Sequence, residues 1–272
     1  MLGWGGSATV ADEPNIPVRA GFLTGSTWED GQAEVSAYES ERVIYGKVRE
    51  FETTMIVVKE TLGKVSRVKQ DTPHSMDPPI DGMKLNLVQR IETENYPYHY
   101  LVNVLMKRSE PFGIFKQSVS SQEWCGTTFQ QINHMGGAWK YWWDSYWQGE
   151  AHGFRIFSLA PNTEESLLLS LRSVEWSKGV EFDIPVVWRM HKNRAVATDP
   201  IATTVSCVER SEVAGPKGKT SCWKIVARAE QQGKSYQATY WVADAAPYLL
   251  LRFEGSEGRK LQLKSSSRRI YW

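Results

Sequence analysis

The sequence predicts a mainly antiparallel β protein, a strongly curved sheet or open barrel of roughly ten or more strands with one packed helix. Three observations carry that expectation. Aromatic residues are abundant, with 12 Trp, 11 Tyr and 9 Phe, and large half-buried rings favour pleated surfaces. The last third of the chain alternates apolar and polar residues with period two. No helix-sized segment separates those alternating runs, which disfavours parallel βαβ crossovers.

Residues 1–27 hold Gly, Pro, Ser and Thr without sustained periodicity and read as an extended arm that carries little of the core. Residues 28–272 form the expected single antiparallel β domain. Ala33, Val35 and Ala37 alternate with polar neighbours, and Phe51–Glu60 runs through Met55-Ile56-Val57-Val58 as a buried strand, the two joined around Tyr45-Gly46. The stretch Lys69–Met83, with Pro73, Pro78, Pro79 and Gly82, is loop chemistry. Strand character resumes at Lys84–Val88 and recurs at Tyr98–Met106, Gly113–Val119 and Cys125–Ile132.

The helix signal lies near 163–177. Leu167, Leu168, Leu171 and Val174 share one face, Asn162 with Glu165 resembles a capping box, and Gly179 stands where a stop belongs. Its leucine face requires a partner surface, as a lid or strut against a sheet. Trp223, Ile225, Ala227 and Ala229 then alternate as one strand, Gln231–Lys234 turns the chain, and Tyr236, Ala238, Tyr240 and Val242 alternate again. Tyr248–Phe253 and a run through Leu261 and Leu263 complete a meander.

Composition narrows the function classes. The 272 residues carry 32 Lys+Arg against 31 Asp+Glu, a formal charge of +1, so no basic excess drives binding to nucleic acid. At 41% hydrophobic and 23% charged the chain is neither disordered nor collagenous. No apolar stretch reaches the ~18 residues of a membrane-crossing helix. The start, Met1–Ser7, shows no export signal, although a removed leader would leave the same pattern.

Common catalytic and cofactor motifs are absent: there is no phosphate loop, no strand-linked G-x-G-x-x-G, no G-x-S-x-G and no H-E-x-x-H. No cofactor is expected. Cys125, Cys207 and Cys222 lack zinc spacing, and His74, His99, His134, His152 and His191 are dispersed, so no metal is expected. Cys207 and Cys222 flank Gly215–Gly218. Two readings stand open for them, one disulfide across a hairpin or two reduced core thiols.

The densest ring cluster runs Trp139-Lys140-Tyr141-Trp142-Trp143-Asp144-Ser145-Tyr146-Trp147. Flat rings interleaved with polar groups stack on sugars, line acyl-chain clefts or dock partners. Trp142, Trp143, Tyr146 and Trp147 are the expected wall of a ligand-binding concavity, with Trp124 beside Glu123 as one edge. The alternative is a catalytic acid and base drawn from Asp30, Glu34 and Glu123, carboxylates near aromatic side chains, as glycosidic hydrolysis requires.

Several strings also carry a resemblance. Trp28–Val35, Tyr45-Gly46-Lys47, Lys84-Leu85-Asn86, Ser121–Gly126 (Ser-Gln-Glu-Trp-Cys-Gly) and Ser145–Glu150 resemble a family of uncharacterised bacterial exported proteins, many of them lipoprotein-like. The segments Ala214–Val226 and Thr239–Val242 are similar to the closing hairpins of the DUF3108 group, related to LolA-type half-barrels. The resemblance implies a curved antiparallel sheet, a periplasmic or outer-envelope location and an apolar ligand in the concave face. It implies no activity. The chain departs from it by showing no lipobox cysteine.

The functional expectation is a non-enzymatic envelope protein that binds a hydrophobic or amphipathic small molecule, or an envelope protein partner, through an aromatic-lined concavity. The alternatives are a carbohydrate-active hydrolase and a structural assembly subunit whose arm orders on a neighbour.

Overall fold

The computed structural model describes residues 15–72, 76–195 and 198–272. Residues 1–14 of the expected arm, and His74, lie outside them. Among the described residues, fifteen strands form one open sheet. The first meander is β1 (Ala33–Ile44), β2 (Lys47–Gly63), β3 (Pro79–Ile91), β4 (Tyr98–Lys107), β5 (Lys116–Glu123), β6 (Gly126–Met135), β7 (Ala138–Ser145) and β8 (His152–Phe157). After β9 (Asn162–Thr163) comes α1 (Glu164–Ser170) with a 3-10 turn, Leu171–Ser173. The second meander is β10 (Glu181–Val187), β11 (Ile201–Gly215), β12 (Gly218–Gln231), β13 (Lys234–Ala243), β14 (Leu250–Glu254) and β15 (Lys260–Arg269).

The spatial order is β8-β7-β6-β5-β4-β3-β2-β1-β15-β14-β13-β12-β11-β10-β9. Every named pairing is antiparallel except the two-residue pair of β9 with β10. The curved antiparallel sheet with one helix is therefore the architecture, and it stays open rather than closing into a barrel. The expected hairpins form on turns that need left-handed backbone. Tyr45-Gly46 has φ values of 52° and 73°, and Gln232-Gly233 has 52° and 72°, the geometry whose twist matches paired strands.

Ala33 and Val35 do not enter the main core but form a small cluster with Ile56 and Val58 on the convex side. The concave face takes the even positions of β1, because Tyr38 is fully buried in the main core and donates its hydroxyl to Leu250 O at 2.9 Å. A row Tyr38–Thr53–Gln89–Tyr100–Ser121–Thr128–Ser145 crosses the first meander on this face. Two positions further along, Met55, Leu87, Val102 and Val119 give an apolar row. The bowl is thus apolar toward one end of its strands and polar toward the other.

The helix fills the bowl. It is shorter than its leucine spacing predicts, and its cap is Thr163 rather than Asn162. Ser166 N donates to Thr163 Oγ1 at 3.0 Å and Thr163 N donates to Ser166 Oγ at 2.9 Å. Asn162 Oδ1 is engaged elsewhere, accepting from Gly113 N at 2.8 Å. All seven residues of α1 are buried, Glu164 and Glu165 included, so this is an internal strut and not a lid. Val174 leaves the helix because it forms a bridge with Val18. Gly179 lies beyond this, in the turn before β10, with φ of 88°.

The part of the expected arm within the described residues also packs. Leu23 is buried in the main core, and Arg19 N donates to Ser173 O at 2.6 Å. Cys207 and Cys222 are free thiols. The register explains this: Cys222 opposes Ser211 and Cys207 opposes Ile225. Burial pushes the Cys207 thiol up to about 11, so it stays protonated and behaves as an apolar side chain.

Candidate functional site

A cleft of about 650 Å³ opens at the polar end of the bowl. One side is the tip of β1 with its turn (Arg42, Val43, Ile44, Tyr45) and the first residues of β4 (Tyr98, Tyr100). The other is Trp147 after β7, the segment Lys192-Asn193-Arg194, and Glu257 and Arg259 before β15. Strand alternation delivers Tyr98 and Tyr100 to one face, and the two rings stack with centroids 6.3 Å apart and planes at 10°.

The phenols form a linked set. Tyr45 and Tyr98 hydroxyls are 2.5 Å apart, and Tyr45 and Tyr96 hydroxyls 3.3 Å apart. Burial, then the hydrogen bond with Tyr45 and the neighbouring Glu123, raise the Tyr98 phenol, while burial raises Tyr100. Both stay protonated, so each keeps an O–H donor at the cleft wall. Trp124 is exposed and stacks on Tyr96 at 5.9 Å, extending the aromatic surface past the rim.

The segment after β10 has no regular structure and is held in place by side chains of β5, β6 and the turn after β7. Gln130 Nε2 donates to Met190 O and Lys192 O, each at 3.1 Å, and Thr128 Oγ1 donates to Asn193 O at 2.8 Å. Asn193 Nδ2 donates to Glu123 Oε1 at 3.0 Å. Glu150 accepts from Ala195 N at 2.9 Å and pairs with Arg194. Trp143 Nε1 in turn donates to Glu150 O at 2.9 Å.

The floor is ionic. Arg259 meets Glu164 at 3.1 Å and Glu165 at 2.8 Å, and its Nη1 lies 3.0 Å from His191 Nδ1. A guanidinium has only donors, so Nδ1 accepts and the ring carries its proton on Nε2. Burial, with Arg42 and Arg259 nearby, holds His191 well below its ordinary value. Arg42, only 8% exposed, donates to His191 O at 2.5 Å and lies 4.4 Å over the Tyr100 ring. Burial lowers its pKa, yet a guanidinium starts so high that it remains charged.

Of the ring residues expected to form a wall, Trp147 lines the cleft, and Glu123 and Trp124 adjoin it. Trp142 and Trp143 do not share a surface, because neighbours along a strand point to opposite faces. Trp142 packs on the convex side against Phe129 at 5.2 Å, whereas Trp143 packs against the main core. Tyr146 lies edge-on to Trp147 at 5.3 Å. The three carboxylates are not assembled as a pair. Glu34 is bound by both Nη atoms of Arg172 at 2.7 and 2.8 Å, and Asp30 is held by Arg268. Glu123 lies four strands from Glu34, about 19 Å along the sheet at the usual strand spacing. Among the described residues no His, Cys, Asp or Glu group converges as a metal site.

Sequence reasoning missed Arg42, Tyr98, Tyr100 and Arg259. A signal existed in β1, where Ser40 and Arg42 share the inward face with Tyr38 toward the cleft end of the strand. Polar residues in register with a buried Tyr mark the polar wall of a cavity.

Fold and cleft together define an open-sheet β protein with an aromatic and cationic cavity over a buried helix. No protein family matches the chain, and no curated protein does. Among solved structures it is similar to the crystal structure of a DUF1089 family protein from Pseudomonas aeruginosa, at 10% identity and a TM-score of 0.38, covering 72% of this chain and 87% of that one.

Proposed function

We propose that the protein is a non-enzymatic binder of an amphipathic small molecule, held in the cleft between Tyr98, Tyr100 and Trp147. The observation that carries this is a cavity of ligand size, about 650 Å³, in which aromatic faces stand beside phenol and guanidinium donors. Such sites pair a mostly apolar lining with a few oriented polar groups. With the exported proteins that its strings resemble, the reading extends to the cell envelope, which fractionation of cells expressing the natural gene tests.

Native mass spectrometry of the purified protein, with titration of short-chain amphiphiles followed by tryptophan fluorescence, tests the binding. A retained mass or a saturable change is expected, and Trp147→Ala weakens binding about tenfold or more, as loss of an aromatic anchor does. No retained mass together with no fluorescence response overturns the proposal.

A further inference from the structure

The cleft holds four cations, and three of them are already paired. Arg259 is balanced by Glu164 and Glu165, Lys192 by Glu257, and Arg194 by Glu150. Arg42 has no carboxylate partner among the described residues, and its Nη1 is buried without a hydrogen-bond partner. Its one protein hydrogen bond uses Nη2. An unpaired buried charge is costly to keep, and Arg42, which lines the cleft, has a guanidinium nitrogen with no protein acceptor.

We infer that the ligand carries an oxyacid group, a carboxylate or a phosphate, that docks on Arg42 while its apolar body lies against Tyr98, Tyr100 and Trp147. This rests on the binding reading above and names its ligand class. The anion accepts from the Arg42 guanidinium, and Lys192 and Arg194, which also line the cleft, add attraction without being freed from their own partners. A guanidinium on an oxyanion makes stronger, more directional bonds than an ammonium does.

The test compares octanoate, octyl phosphate and octyl glucoside, three heads on one chain length, plus inorganic phosphate alone, by calorimetry on the whole protein. At least one anionic amphiphile binds about tenfold or more tighter than the glucoside, as expected for a charge-assisted contact. Which anion leads distinguishes a fatty-acid-like source from a phosphorylated one. Arg42→Met removes the preference, so that the anions bind no tighter than the glucoside does to the same variant, and Arg42→Lys retains part of it. Thermal melts check folding, and if the Met variant does not fold the Lys variant carries the comparison.

Equal affinity for the glucoside and both anions in wild type, or a preference that survives Arg42→Met, overturns the inference and leaves amphiphile binding standing. Arg42-dependent binding of inorganic phosphate with no binding of any alkyl compound upholds the anion site and overturns the amphiphile reading. No binding of any probe overturns both.

Discussion

Arg172 and Glu34 show what a buried charge requires. The guanidinium is fully buried, grips both carboxylate oxygens, and also donates to Tyr248 O at 2.9 Å and Pro247 O at 3.0 Å. Glu34→Gln or Arg172→Met leaves one uncompensated member, which is expected to cost about 3–5 kcal/mol in urea unfolding. His191 behaves in the opposite sense. Its folded pKa lies well below the ordinary histidine value of about 6.5, chiefly from burial and then from Arg42 and Arg259. Below pH ~6.5 the unfolded chain therefore binds a proton that the folded chain refuses, and stability falls by up to about 1.4 kcal/mol per pH unit until the folded group titrates. Unfolding curves from pH 7 to 5 should show that slope, flattened in His191→Gln. At this scale Trp147, Glu123 and Trp124 were legible because rings and carboxylates announce themselves. Arg42 was not, since Glu39-Ser40-Glu41-Arg42 reads as a solvated strand edge until Tyr38 is known to face inward.

Among the elements, α1 depends on its start. Thr163 caps it, and the same hydroxyl donates to Gln117 Oε1 at 2.5 Å across to β5. Thr163→Ala is expected to cost about 1–2 kcal/mol, at the upper end for a lost cap because a buried amide also loses a partner; chemical denaturation measures it. Leu168, buried under the cleft floor, should cost about 2–5 kcal/mol as Leu168→Ala. The hairpins were legible because two local signals agree, period-two alternation and a Gly in the turn. The length of α1 was not, since Leu171 and Val174 keep helical spacing although Val174 is extended. Tertiary pairing with Val18 overrides that local pattern.

Across the whole molecule, the meander order was readable from sequence, whereas the joining of the two meanders was not. Pairing β1 with β15 brings Ser36 and Ser266 into a 2.9 Å hydrogen bond across 230 residues of chain, and no local pattern encodes a contact that distant. The sheet also keeps two edges. At one of them β8 exposes Phe154 and Ile156 at 58% and 57%, the kind of edge that invites association. Ile156→Lys should lower concentration-dependent scattering while leaving the melting temperature within about 1–2 °C, as surface changes of a few tenths of a kcal/mol do. The seam between β1 and β15 has a consequence for biosynthesis. A chain made from its amino end delivers the first eight strands with the backbone of β1 still lacking its later neighbour. Its amides wait for β15, made after all the other strands, so until that segment is synthesised β1 stands as an unpaired edge open to the wrong partner.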